Sequence, residues 1–146
     1  MSVQTGTIAI GSDHRAREII DGISAHLKSL GWTVHKHCGG DSESVDYPCI
    51  AKEVTGEITS GQARCGVLIC GSGIGMSMAA NKIDGIRAAL AHEQTSAEMS
   101  RRHNDANVLC MAASGPMDSD YNAIIDTWLA TDFEGGRHQR RVDMMR

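Results

Sequence analysis

Nowhere in this sequence do about 18 apolar residues follow one another, so no segment has the length of a membrane-spanning helix. Residues 1–6 carry neither a basic start nor an apolar run, and secretion is not expected. There is no Cys-x-x-Cys pair. The cysteines, at 38, 49, 65, 70 and 110, are odd in number, which argues against a disulfide framework or a zinc ribbon and for a reducing compartment, the cytoplasm. An excess of positive charge is also missing. A formal net charge of −4 gives no general attraction to nucleic acid, and the basic residues concentrate only in Arg137, Arg140, Arg141 and Arg146. Repeats, low-complexity tracts and linkers are absent. The 146 residues, 41% of them hydrophobic, suffice for one core and not comfortably for two, so 1–146 reads as a single domain.

What is there is an alternation of short apolar runs with longer stretches of helical period, the signature of an α/β fold with a parallel sheet covered on both faces. Strands are predicted at 7–10, 32–37, 66–70, 86–91 and 108–112. The first helix carries Ile19, Ile20, Ile23, Leu27 and Leu30 on one stripe and stops at Gly31. The second follows Asp46-Tyr47-Pro48 and presents Ile50, Val54 and Ile58. A short helix is predicted at 76–82. Thr95-Ser96-Ala97-Glu98 has the spacing of a capping box and predicts a helix start there, with His103-Asn104 at its exit. A last helix is predicted from Asp118 to Thr131, before a polar, basic tail from Glu134.

The most apolar strand runs into Cys70-Gly71-Ser72-Gly73-Ile74-Gly75, which opens a helix. Backbone N–H groups there converge at a positive helix end and suit an anion. In an open parallel sheet ligands gather at the carboxyl ends of the strands, where Cys70 sits. Helix N-termini favour the thiolate, which could act as a base, and the same N–H groups could hold an enediolate oxygen. The plainer reading is a small buried hydrophobe beside a tight turn. A dinucleotide fingerprint fails on spacing: Gly71 and Gly73 fit, but the third glycine would be Met76.

These residues resemble the type B ribose-5-phosphate isomerases and the related galactose-6-phosphate isomerase subunits. The blocks are Gly11-Ser12-Asp13-His14, Asp46-Tyr47-Pro48, Gly66 to Gly75 with Ala79-Ala80-Asn81-Lys82, His103 to Leu109, and Phe133 to His138. The resemblance implies a Rossmann-like domain in a homodimer or homotetramer, with each site between two subunits, and a sugar-phosphate substrate. It implies no cofactor, no metal, no nucleic acid and no membrane. Cys70 matches the base that moves a proton between C2 and C1, and Met76 stands where another branch has glutamate. His103 matches the ring-opening residue, with Asp13 placed to assist. Gly71, Ser72, Gly73 and Gly75 match the loop that holds the enediolate. Asn104 matches a hydroxyl contact, and Tyr47 reaching the sugar is likewise borrowed from the family. His14, Arg137 and Arg141 match the phosphate clamp.

Two departures bear on the substrate. Ser114 stands where the family usually has an arginine, and Arg15 follows His14 in place of alanine. A tetrose, hexose or other pentose phosphate therefore stays open, as does a non-catalytic phosphate- or nucleotide-binding module. His35 and His37 beside Cys38 could ligate a metal, but solvated strand histidines are commoner. Cys38, Cys49, Cys65 and Cys110 read as packing residues, the methionines as core filler, and Arg87 as structural or as a partner contact.

Overall fold

The computed structural model describes residues 5–38, 45–115 and 120–145. Strands β1 (Thr7–Ser12), β2 (Thr33–His37), β3 (Cys65–Cys70), β4 (Ala88–Leu90) and β5 (Val108–Ala112) form one sheet in the order β2-β1-β3-β5-β4. Every pairing is parallel. The helices are α1 (Arg17–Ser29), α2 (Tyr47–Thr59), α3 (Ile74–Asn81), α4 (Gln94–Asn104), α5 (Tyr121–Ala130) and α6 (Arg137–Asp143). None is long and apolar enough to cross a membrane.

Period-2 side-chain alternation divides the core in two. Ile8, Ile10, Val67, Ile69, Leu109 and Met111 pack against Ile20, Ile23 and Leu27 of α1, Ala97 of α4, and Ile124, Ile125 and Trp128 of α5. On the opposite face Ala9, Leu68, Cys70, Val108 and Cys110 meet Ile50, Ala51 and Val54 of α2 and Met76 and Ala80 of α3. The expected α/β architecture with helices on both faces is therefore present. β3, central and buried at every residue, reads as a continuous apolar run because both of its faces are covered.

The differences are at element ends. α4 is capped by Glu93, whose carboxylate accepts from the Ser96 N–H, so the expected capping box at Thr95 does not form. Glutamate is an uncommon cap, and no propensity rule singles it out. The basic tail is helical in α6 because Val142 is buried. α5 starts at Tyr121 behind an Asp120 cap; Asp118, like Arg146, lies outside the described residues. Met78, Met144 and Met145 are exposed, unlike the core methionines Met76 and Met111, and Cys49 is exposed where packing was expected. His35 and His37 lie against carboxylates of α2: His35 Nδ1 is 2.9 Å from Glu57 Oε1, and His37 contacts both Glu53 and Glu57.

Ile10 is fully buried between β1's neighbours and α1. Ile10→Ala is expected to lower the unfolding free energy by about 3 kcal/mol in urea titration with little change in slope. A loss below about 1 kcal/mol would contradict this packing.

Candidate active site

β1 leads outward to β2 on one side, and the chain then returns to place β3 on the other side of β1. The carboxyl ends of β1 and β3 therefore flank the point where the strand order reverses, the place where such sheets leave a crevice. The Asp13 N–H donates to the Ile69 carbonyl at 3.2 Å and pins the residue after β1 beside the end of β3. The Asp13 carboxylate accepts from the Arg15 N–H at 3.1 Å and starts the short turn His14–Ala16.

A concavity of about 500 Å³ opens here, lined by Asp13, Arg15, Tyr47, Cys70, Gly71, Ser72, Ile74, Gly75 and Met78. Cys70 is only 5% exposed, at its floor. The thiol thus packs with the α2–α3 core and also lines the cavity. The Ile74 N–H donates to the Ser72 hydroxyl oxygen at 3.2 Å. The N–H groups of Gly71, Ser72 and Gly73 meet no acceptor among the described residues. At two positions only glycine fits. Gly73 has φ +77°, and a Cβ there would lie 2.5 Å from Leu90 and 3.0 Å from the Met111 backbone; at Gly75 it would meet the Tyr47 ring at 2.6 Å. Tyr47 therefore lies directly over the loop. Arg15 lines the concavity while its neighbour His14, though on the same edge, does not.

His103, Asn104, Arg137 and Arg141 are elsewhere. α4 ends at Asn104, immediately ahead of β5, whose first residue pairs with Gly66 near the start of β3, while Cys70 pairs with Ala112 at its end. At about 3.3 Å per residue, roughly 13 Å of strand separates these two levels, with the two groups at opposite edges of the sheet. The Glu134 N–H donates to the Arg102 carbonyl, and His138 stacks on His103, so α6 sits with the α4 exit. Arg137 and Arg141, one turn apart on α6, form no ion pair among the described residues. One chain thus carries its candidate site residues in two groups, one at each edge.

The α4 exit is held by residues that sequence reasoning, Arg87 apart, left without roles. Asp105 takes a left-handed conformation, φ +48°, and its carboxylate accepts from Arg87 at 3.3 Å and Arg101 at 2.9 Å. Arg87 also donates to the Asn104 and Asp105 carbonyls, which gives it the structural role. The Asn107 amide accepts from the Arg87 N–H and donates to the Gly85 carbonyl, and Asn81 pairs in both directions with Ala88. Asn81, Asp105 and Asn107 all stand inside the family blocks, the one signal that could have marked them.

Burial pushes the Cys65 thiol up to about 12, against the lowering effect of Arg64 and Arg101, and pushes Cys110 up further, with Cys70 beside it adding to the shift. At about pH 8, iodoacetamide is expected to alkylate the exposed Cys49 and spare Cys65 and Cys110 in peptide mass mapping of the folded protein. Equal labelling of all three would contradict the placement. Asp105→Ala strands two guanidinium groups and is expected to cost about 2 kcal/mol, read from the urea midpoint.

The family described as Ribose/Galactose Isomerase matches residues 8–145. Ribose-5-phosphate isomerase B of Escherichia coli is 43% identical over 136 residues, covering 93% of this chain and 91% of the relative. The solved ribose 5-phosphate isomerase B of Anaplasma phagocytophilum superimposes with a TM-score of 0.91 at 40% identity, covering 100% of each chain. That of Thermotoga maritima gives 0.89 at 43%, covering 95% of this chain and 96% of the other. A match that runs through both groups of candidate residues at this identity establishes that the chain belongs to the ribose/galactose isomerase family.

Proposed function

We propose that the chain interconverts ribose 5-phosphate and ribulose 5-phosphate, with Cys70 as the base and each active site made by two copies of the chain. The observation that carries the reading is the cavity-lining thiol beside unpaired loop amides. The names of the similar enzymes supply the substrate.

In this mechanism His103 donates a proton to the ring oxygen of the furanose while Asp13 accepts the proton of the anomeric hydroxyl. The Cys70 thiolate then takes the proton from C2, and the electron pair forms the C1–C2 double bond as negative charge moves onto O1. Amides of Gly71, Ser72 and Gly73 hold that oxygen; removing one such donor typically costs about 3 kcal/mol of barrier. The O2 proton passes to O1, the Cys70 proton returns to C1, and C2 becomes the ketone. No electron leaves or enters, so the step needs no redox partner. Arg137 and Arg141, with His14, bind the phosphate, and two guanidiniums one turn apart can grip it from two directions. Asn104 and Tyr47 contact the sugar.

Two features support the second copy, in a homodimer or homotetramer. Asp13 and Cys70 lie at the opposite sheet edge from His103, too far for one small sugar. Beside Asn104 a groove of about 530 Å³ is lined by Ile83, Ile86, Ala88 and the exposed Met145. The thiols are all free, which supports a cytoplasmic setting. Ser114 favours keeping the sugar's length open: its hydroxyl donates to the Gly71 carbonyl and braces the loop, and it supplies no cation. Comparing kcat/KM for tetrose, pentose and hexose phosphates sets the preference.

Mixing tests the shared site. Cys70→Ala and His103→Asn are each expected to be inactive. Unfolded and refolded together, they are expected to regain about a quarter of wild-type turnover, because half of random dimers are mixed and one of two sites in each is intact. No recovery, with mixed dimers shown to form, would place both residues in one chain's site.

A further inference from the structure

We infer that His138 is a positioning residue for His103, an aromatic platform that holds the His103 ring facing Glu134. The inference rests on the reading of His103 as the ring-opening acid. The two imidazoles are stacked, with centroids 4.4 Å apart and planes 16° from parallel. His103 lies in the last turn of α4, where unpaired helix carbonyls favour a cation. Its Nε2 is 3.9 Å from Glu134 Oε2, about 1 Å beyond a hydrogen bond, so a small closure completes the contact. Glu134 is in turn fixed by Arg102, which donates to Oε1 at 3.3 Å and accepts the Glu134 N–H at its carbonyl.

His138 covers one face of the His103 ring through the stack. The charged groups facing the pair are Arg102 from α4, Glu134 from the preceding loop, and Arg137 and Arg141 from α6. Desolvation, then His103 and Arg137, hold the His138 titration below the ordinary histidine range, while Glu134 pulls the other way. His138 therefore stays uncharged to lower pH than an ordinary histidine, and its π face attracts a cation placed against it. Protons on both rings would set two cations face to face and open the stack. One nitrogen of each ring and a Glu134 oxygen lie within 4.8 Å of one another, close enough to ligate a metal, but three guanidinium groups in the same corner oppose a dication.

The test compares His138→Ala, which removes the platform, with His138→Phe, which keeps a flat ring and cannot titrate. With ribose 5-phosphate, His138→Ala is expected to lose between about tenfold and about a hundredfold in kcat, with KM nearly constant, as a displaced acid would. His138→Phe is expected to recover most of that loss. Its acid limb is expected at lower pH than the wild type's, because the charging of His138 as pH falls is gone. In parallel, ¹⁵N NMR of the imidazoles is expected to show the His103 titration midpoint displaced in His138→Ala; this needs no turnover, so it stands even if the wild type proves not to be an isomerase. Unchanged kcat with an unchanged His103 midpoint would overturn the inference, and so would a rise in KM alone, which would make His138 a phosphate ligand. Should His138→Ala not fold, an unshifted acid limb in His138→Phe overturns it as well.

Discussion

All five strands run in one direction, and that polarity governs everything else in the molecule. Each strand must finish at one edge, and each helix must carry the chain back to the other. Residues that follow strands, such as Asp13 and Cys70, therefore collect at the carboxyl edge. Residues that follow helices, such as His103 and Asn104, collect at the amino edge. A chain this small cannot bend to bring them together, because the sheet between them is the hydrophobic core itself. In the proposed reading, the two groups serve one sugar across a boundary between copies.

Within the carboxyl edge, the proposed chemistry depends on how little room the glycine loop leaves. Gly73 lies against the backbone of β5, and Gly75 lies under the Tyr47 ring, so the loop is clamped between strand and aromatic ring. That fixes the amides around Cys70 before any ligand arrives, and donors fixed in advance need no reorganisation when charge develops. The contrast among the thiols follows from the same geometry. Cys110 is sealed in the core and held in the neutral form, and Cys65, at the far end of β3, lines a separate cavity, whereas Cys70, equally part of the core by packing, has one side open to the cavity at the glycine loop.

The sheet was legible because its strands are buried on both faces and so stand out as apolar runs; Val108–Ala112 coincides with its expectation to the residue. The glycine loop was legible for a different reason, since a strand, a glycine cluster and a helix in succession have a fixed chemical meaning. Family blocks named the site residues but not their arrangement, because a linear pattern does not say which edge of a sheet a residue reaches. Glu93 as a cap was hidden behind a better-looking Thr95. The grip of Arg87 and Arg101 on Asp105 was hidden because it joins β4's approach to both ends of a turn with positive φ. α6 was legible only in the four-residue spacing of Arg137 and Arg141, because a single buried side chain, Val142, holds it against an otherwise polar sequence.

The central claim is that the Cys70 sulfur moves a proton between neighbouring sugar carbons. The most direct measurement is NMR of ribose 5-phosphate incubated with the protein in deuterated water, run beside Cys70→Ala under identical conditions. The account expects deuterium to enter the carbon-bound positions at C1 and C2 with the wild type, and expects the variant to bind the sugar phosphate without exchanging it. Exchange in Cys70→Ala at the wild-type rate would contradict the account, because some other group would then be the base.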